Sequence, residues 1–312
     1  MSRTLVHKAA PSEVFLTDMV RASADRYRVA AKWPERHTLF GTGPRRTLDP
    51  LLLVETVRQA GLCLTQRYYD VPQDHQFVLS SLEYELDTSP RSIDAGRAVD
   101  TAVIEVRCQV EVSRADYLSM SLDAVILTED GIRLGQVGFC WRSLSPQRYE
   151  QLRFSGEGPR APAPDGTLAD PVATPAAVGR SHGKDVMLAP GNSVRNWRFR
   201  LDRQHPVYFD HACDHIPGMA LLESFQQAAW LMSAHAEGVD AENWLWSPTA
   251  GALTFQSFGE LDAPTTIDAE VAQEPSAYGQ HAVRVSATQG GTVLATAALL
   301  GSGFSVAGGG ML

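Results

Sequence analysis

The sequence has few cysteines and no long apolar run. Only four of its 312 residues are cysteine, and none forms a C-x-x-C pair, so free thiols in a reducing compartment are expected instead of a disulfide framework. No uninterrupted apolar stretch approaches the roughly 20 residues that a membrane helix needs. The start of the chain also lacks the apolar region of a signal peptide. These absences predict a cytoplasmic protein that does not enter a membrane.

Basic residues are also scarce. The chain carries 27 Lys and Arg against 36 Asp and Glu, a formal net charge of −9. A nucleic-acid partner requires a basic face that neutralises phosphates, so the charge argues against nucleic acid as the main partner. The hydrophobic fraction of 44% and the charged fraction of 20% are ordinary for a soluble globular protein. The length allows two domains of roughly 150 residues.

One segment of the chain occurs twice. Residues 37–55 align without a gap on residues 205–223, and the match continues to Gln59 and Gln227. A period this long indicates two copies of a small domain, because solenoid repeats run to roughly 20–50 residues. A stretch rich in proline, alanine and glycine separates the copies. The predicted divisions are an N-terminal domain at 1–143, a linker at 144–183 and a C-terminal domain at 184–312.

Each copy has the same predicted order of elements: a strand, a loop, a long apolar helix and then four strands. The first helix is predicted to begin at Asp49 and Pro50, since Asp is a favoured N-cap and Pro a favoured first helical residue. An antiparallel sheet of five strands wrapped around one helix is the hotdog architecture. The predicted fold class is therefore α+β, a double hotdog. The predicted strands are 27–33, 78–86, 102–112, 117–127 and 132–141, then 197–201, 253–258, 266–271, 282–288 and 293–300.

Each predicted helix contains a single acid, Glu55 in the first copy and Glu223 in the second. Apolar residues lie on nearly every side of the first helix, which predicts that Glu55 is buried with a shifted pKa. The alternative is that Glu55 leaves the helix on a solvated side. Arg58 is three residues further on and shares a face with Glu55, so both can act on one ligand. The second copy has Gln226 at that position.

In the loop just before the helix, at positions 210–218, the second copy has His211 and His215, whereas the matching positions 42–50 of the first copy have no histidine. A histidine together with a buried acid forms a general acid–base pair, because imidazole titrates near neutrality. Two other interpretations stay open for His211. It can be a loop histidine that bonds backbone groups, or it can share a metal ion with His215 and His205. Asp214 and His215 are predicted to stiffen the loop.

Several strings resemble a known family. His211-x5-Pro-Gly-x4-Glu223 is similar to the active-site string of hotdog 3-hydroxyacyl-ACP dehydratases. Across both halves the chain resembles the A-factor biosynthesis hotdog family, also called AfsA-like proteins. The strings that carry this resemblance are Val6-His-Lys8, Glu13-Val-Phe-Leu16, Asp49-Pro-Leu-Leu-Leu-Val-Glu-Thr-Val-Arg-Gln59, His75-Gln-Phe77 and Asp210-His-Ala-Cys-Asp-His-Ile-Pro-Gly-Met219.

The resemblance implies transfer of a 3-ketoacyl chain from an acyl carrier protein to a hydroxyl of dihydroxyacetone phosphate. That reaction is the first step toward γ-butyrolactone or related furan and butenolide signals of actinobacteria, and it implies no cofactor. The family commonly has Glu-x-x-Arg-Gln in both helices. The second helix here reads Glu-x-x-Gln-Gln, which weakens any role of that helix.

By analogy with the dehydratases, His211 is expected to meet Glu55 and Arg58 in one competent site. His211 or Glu55 is the expected base, and Arg58, with Arg45 or Arg46, is expected to hold the phosphate. Backbone N–H groups near Gly218 are expected to stabilise the thioester oxyanion. The catalytic candidates are His211, Glu55 and Glu223, and the substrate-binding candidates are Arg58, Arg45, Arg46, Gly218, Gln59 and Gln227, without a metal.

Two other functions fit the same residues. A histidine and an acid also suit a 3-hydroxyacyl thioester dehydratase or a thioesterase. A degenerate double hotdog that only binds acyl ligands or lactones is the non-enzymatic alternative. It is favoured by Gln226 and by the lack of a first-copy histidine that matches His211.

Overall fold

A computed structural model describes residues 1–35, 37–40, 48–89, 99–154, 168–272 and 280–306. The chain divides into two compact units. The first unit comprises Met1–Arg36, Thr47–Pro162 and Asp210–Ala212, and the second comprises His37–Arg46, Ala163–Phe209 and Cys213–Leu312. Within the described ranges, no helix combines the length and the hydropathy that crossing a membrane requires.

The first unit is an antiparallel sheet packed on one long helix. The order of its strands across the sheet is β1-β2-β4-β5-β6-β3, and every neighbouring pair is antiparallel. Two 3-10 turns, Arg3–Val6 and Pro11–Glu13, precede the sheet. The elements are β1 Leu16–Arg21, β2 Arg26–Lys32, α1 Pro50–Tyr68, β3 Gln76–Leu86, β4 Thr101–Arg114, β5 Tyr117–Leu127, β6 Arg133–Leu144 and α2 Pro146–Phe154.

The second unit repeats this plan. Its strand order is β9-β12-β11-β10-β8-β7, again with antiparallel neighbours. Short 3-10 turns occur at Ala176–Val178, Gly183–Asp185 and Ala241–Asn243. The elements are β7 Leu188–Ser193, β8 Asn196–Phe199, α3 Gly218–Ala236, β9 Trp244–Phe255, β10 Thr265–Val271, β11 Gln280–Gln289 and β12 Thr292–Ser305.

The central helix of the first unit begins where the sequence predicts. Asp49 caps it, since its carboxylate accepts a hydrogen bond from the Leu51 backbone N–H at 2.9 Å, and Pro50 is the first helical residue. Nearly every residue from Pro50 to Thr65 is buried, as expected of a helix that a sheet covers. In β5 the buried residues alternate along the strand, which places one face of the sheet on this core.

The double hotdog is confirmed, with two corrections. The prediction of five strands for each copy is wrong, because the described residues of each unit form six. The additional strands, β1 and β7, lie at the sheet edges, and their burial does not alternate with a period of two. A helix, α2, also lies within the stretch predicted as an extended linker. It has a single buried residue, Tyr149, so no apolar periodicity reveals it.

Candidate functional site

Glu55 lies in the second turn of α1 and is only 2% exposed. Arg58, one turn later, forms a two-pronged pair with it: Nε donates to Oε2 at 2.7 Å and Nη2 donates to Oε1 at 2.9 Å. The prediction that Glu55 is buried is therefore confirmed, as is its sharing of a helix face with Arg58. The Arg58 side chain is 24% exposed, so this guanidinium reaches the surface of the site while Glu55 does not.

A second cation, Lys8, comes from the segment before the sheet. Its Nζ lies 3.2 Å from Glu55 Oε1, and both side chains are less than 5% exposed. Lys8 follows the 3-10 turn Arg3–Val6, and its backbone N–H bonds to the Arg3 carbonyl oxygen. Two cations, Lys8 and Arg58, thus contact the Glu55 carboxylate.

The environment of Glu55 keeps it ionised. Burial by itself raises the pKa of a carboxyl, but the charges of Arg58 and Lys8 and the hydrogen bonds from Arg58 and Gln59 outweigh burial and hold the pKa of Glu55 well below its usual range. The acceptor positions of the carboxylate are also occupied. Oε1 accepts hydrogen bonds from Arg58 and Gln59 and pairs with Lys8, and Oε2 accepts a hydrogen bond from Arg58. Such a carboxylate is a poor proton acceptor.

Gln59 fixes the position of the acid. Its Nε2 donates to Glu55 Oε1 at 2.9 Å and to the Glu13 carbonyl oxygen at 2.7 Å, and its Oε1 accepts from the Phe15 backbone N–H at 3.0 Å. Gln59 is fully buried. These contacts tie the chain segment that carries Lys8 to α1. They give Gln59 a positioning role beside its predicted role in substrate binding, which stays a prediction.

His211 belongs to the first unit, within Asp210–Ala212. Its Nδ1 lies 2.6 Å from Asp210 Oδ1; the histidine side chain is 43% exposed, whereas the aspartate side chain is 2% exposed. Asp210 Oδ2 accepts a hydrogen bond from the Ala9 backbone N–H at 3.0 Å. Burial raises the pKa of Asp210, but the hydrogen bond with His211, the charge of Lys8 and the Ala9 N–H together lower it. The ionised aspartate therefore orients the imidazole.

These contacts connect His211 with the acid of α1 inside one unit. Lys8 joins the two parts, because its ammonium pairs with Glu55 and its charge acts on Asp210. The charges of Arg58 and His211 also act on a common neighbour, His7. The catalytic and binding roles assigned from the sequence stay predictions. Arg45 and Arg46 lie outside the residues that the structure describes.

The second unit contains a matching cluster around Glu223. Arg180 donates to both oxygens of this fully buried carboxylate, with Nε at 2.6 Å from Oε1, and the Arg180 side chain is only 8% exposed. Gln227 repeats the contacts of Gln59: its Nε2 donates to Glu223 and to the Asp185 carbonyl oxygen, and its Oε1 accepts from the Met187 N–H. Here one cation balances one acid.

The matched clusters reveal a second repeated segment. Lys8, Glu13 and Phe15 in the first unit correspond to Arg180, Asp185 and Met187 in the second, because each member of a pair makes the same contact with its helix. Val6-His-Lys8 can be aligned on Val178-Gly-Arg180, and Glu13-Val on Asp185-Val. This weak repeat is the sequence signal that could have identified Lys8.

The remaining predicted residues lie elsewhere. Gly218 is the first residue of α3, in the second unit, and its predicted role with the oxyanion stays a prediction. His215 Nδ1 lies 2.6 Å from Asp214 Oδ1, and the predicted stiffening of that loop stays a prediction. His205 is buried and pairs with Asp185 at 3.0 Å. Within the described ranges, no group of three His, Cys, Asp or Glu side chains is arranged to hold a metal ion.

Comparisons with known proteins identify similar sequences and a similar fold. A family model described as the A-factor biosynthesis hotdog domain matches residues 1–142 and 164–305. A relative from Streptomyces virginiae, named 2-oxo-3-(phosphooxy)propyl 3-oxoalkanoate synthase, is 35% identical over 94% of this chain and 94% of its own. A relative of the same name from Streptomyces coelicolor is 32% identical over 96% of this chain and 91% of its own. A solved protein of unknown function with a hot dog fold, from Alicyclobacillus acidocaldarius, covers 94% of this chain and 97% of its own at 12% identity and a TM-score of 0.48.

Proposed function

Because the chain belongs to the A-factor biosynthesis hotdog family, we propose that it transfers a 3-oxoacyl chain to the hydroxyl of dihydroxyacetone phosphate. The name of its relatives describes an ester between a 3-oxoalkanoate and a 2-oxo-3-(phosphooxy)propyl group. The alcohol part of that ester is dihydroxyacetone phosphate. The acyl donor in this proposal is a thioester on an acyl carrier protein, and the product is the precursor of a γ-butyrolactone-type signal.

His211 is the base in this reaction. The alcohol oxygen attacks the thioester carbonyl carbon while His211 takes the hydroxyl proton. The C–S bond then breaks, and the imidazolium returns its proton to the leaving thiolate, so that one ester and one thiol are formed. Asp210 stabilises the imidazolium, because it is ionised and its Oδ1 lies 2.6 Å from His211 Nδ1.

Glu55 has a different task. Its lowered pKa and its occupied oxygens make it unsuitable as a base. It pairs with both Arg58 and Lys8. Arg58 binds the phosphate of the acceptor, since a partly exposed guanidinium matches the geometry of phosphate oxygens.

A single observation supports this proposal most directly: the exposed His211–Asp210 pair and the Lys8–Glu55–Arg58 cluster lie in one compact unit. The test is incubation of the purified protein with a 3-oxoacyl-carrier thioester, with and without dihydroxyacetone phosphate, followed by mass spectrometry. We expect the phosphorylated ester only when both are present. Release of free 3-oxo acid at an equal rate without the acceptor would instead identify a thioesterase.

Variants locate the base in the same assay. We expect His211→Ala to reduce ester formation by about 10²–10⁴-fold, the usual contribution of a general base. Gln204→Ala is a matched surface control, since Gln204 is exposed in the same region of the chain. Full turnover by the His211 variant would refute its assignment as the base. A carrier thioester that reacts no faster than the matching coenzyme A thioester would argue against the carrier protein as the donor.

A further inference from the structure

His7, the residue before Lys8, has an unusual backbone conformation. Its φ of 51° and ψ of 52° lie in the left-handed region, which a residue with a side chain rarely adopts. The matching residue of the second unit is Gly179, with φ of 71°. A Cβ on Gly179 would lie 2.4 Å from the Trp230 ring, whereas the first unit has Leu62 at the position that aligns with Trp230. The first unit therefore has room for a side chain where the second has none.

The imidazole of His7 is held in one orientation. Its ring packs edge-on against Phe77, with the ring centroids 5.2 Å apart and an interplanar angle of 86°. Its Nε2 lies 2.9 Å from Gln66 Nε2. In this arrangement the amide nitrogen donates to His7 Nε2, which places the proton of the neutral ring on Nδ1 and leaves Gln66 Oε1 buried without a partner among the described residues.

The Nδ1–H of His7 has no hydrogen-bond partner within the described part of the chain, and it is not sealed from solvent. The ring lies within electrostatic reach of Arg58 and His211. Burial, followed by the charges of these two residues, lowers the pKa of His7 to about 4. At neutral pH, His7 therefore presents an uncharged N–H donor close to the cation of α1 and to the base.

We propose that His7 binds substrate: its Nδ1–H donates a hydrogen bond to the phosphate of the acyl acceptor, beside the Arg58 guanidinium. This inference rests on the proposed function, which supplies the phosphate. A phosphate dianion accepts several hydrogen bonds at once, so a neutral donor adds to the charge-assisted bonds of Arg58.

Two substitutions separate binding from folding. Glycine adopts positive φ without strain, so His7→Gly removes the donor and gives the first unit the residue that the second unit has. Asparagine tolerates the left-handed region, and its side-chain amide N–H replaces the donor at Nδ1. We expect His7→Gly to raise the KM for dihydroxyacetone phosphate and the Ki for inorganic phosphate by about 10-fold each, as for loss of one hydrogen bond to a charged group. We expect kcat to change by less than about 3-fold and His7→Asn to restore most of the affinity.

The outcomes distinguish this inference from the function on which it rests. If the wild-type protein forms the ester and His7→Gly leaves both constants unchanged, His7 does not bind phosphate and the proposed function stands. A fall in kcat at unchanged KM would also overturn the inference, because His7 would then act on the chemical step. If the wild-type protein forms no ester, the ¹⁵N chemical shift of His7 Nδ1 is used to measure phosphate binding. A change in this chemical shift on addition of inorganic phosphate would support phosphate binding by His7 although the transferase function had failed. No change would overturn both the phosphate site and the transferase function.

Discussion

Glu55 pairs with Lys8 and Arg58, whereas Glu223 pairs with Arg180. Substitutions can give the first unit the arrangement of the second. In the double variant K8R/R58Q, the first unit carries the residues that the second unit has at Arg180 and Gln226. We expect R58Q alone to reduce both the stability of the protein and acyl transfer. We expect the addition of K8R to restore much of the stability without restoring transfer, because an arginine at position 8 can pair with Glu55 as Arg180 pairs with Glu223.

The magnitude follows from the contacts of Arg58. It makes two charge-assisted hydrogen bonds, at 2.7 and 2.9 Å, and each bond of this kind contributes about 1.5–3 kcal/mol. The lower part of the range applies, because the side chain is 24% exposed and Lys8 remains 3.2 Å from Glu55. We therefore expect R58Q to lower the free energy of unfolding by about 2–3 kcal/mol, or the melting temperature by roughly 5–10 °C.

Urea denaturation and the ester-forming assay test this expectation together. Transfer is normalised to the folded fraction, so that a loss of stability is not counted as a loss of catalysis. The single variant K8R is the control, since it keeps Arg58 and its contact with the ligand. A double variant that regains transfer would show that the cation at position 8 can serve the acceptor. An R58Q variant as stable as the wild type would show that the two-pronged pair contributes no stability.

Three further predictions follow from the same contacts. Asp210→Asn is expected to lower kcat by about 10²-fold, because the amide cannot stabilise the His211 imidazolium; an unchanged kcat in steady-state assays would contradict this. The pKa of His7 falls from 6.5 to about 4 on folding, so the unfolded chain binds the extra proton more readily, and stability should decrease as pH falls from about 6.5 to 4. His7→Asn should flatten that part of the profile of urea midpoints against pH. Gln59→Leu and Gln227→Leu each leave a buried backbone N–H and carbonyl oxygen without this partner, and each is expected to destabilise by about 2–4 kcal/mol in urea titrations. A neutral result for either Leu variant would show that its amide contacts are not stabilising.

The long elements were predictable because their patterns are strong. α1 has an Asp–Pro start and an unbroken apolar sequence, and β5 alternates over its full length of 11 residues. β9 was predicted too short, beginning at Leu253 instead of Trp244. Pro248 and Gly251 interrupt the pattern in the missing half, since both residues usually weaken or end a strand. The pairing of β9 with β12 shifts register next to Pro248, which is how the strand accommodates it.

Glu55, Arg58 and Gln59 were predictable as one group because they share a helix. The spacing of Glu55, Arg58 and Gln59 fixes their common face without reference to the rest of the fold. Lys8 and His7 are distant in sequence and lie in no periodic element, so no local pattern brings them to α1. Their placement depends on Gln59, whose hydrogen bonds to Glu13 and Phe15 dock the entry segment on the helix. Such tertiary contacts are set by the fold and are not visible in spacing.

The proposed use of Arg58 for a ligand depends on the second cation, Lys8. If Arg180 left Glu223, this fully buried carboxylate would lose the cation that pairs with it. Breaking a buried ion pair in this way costs about 3–5 kcal/mol. Arg58 is less constrained, because Lys8 stays 3.2 Å from Glu55 and keeps the acid paired when the guanidinium turns toward phosphate. Lys8 thereby lowers the free-energy cost of binding, although its own side chain is too buried to contact the acceptor. In the proposed function, the first cluster can therefore release its arginine to an anion, whereas the second cluster keeps its arginine on the acid.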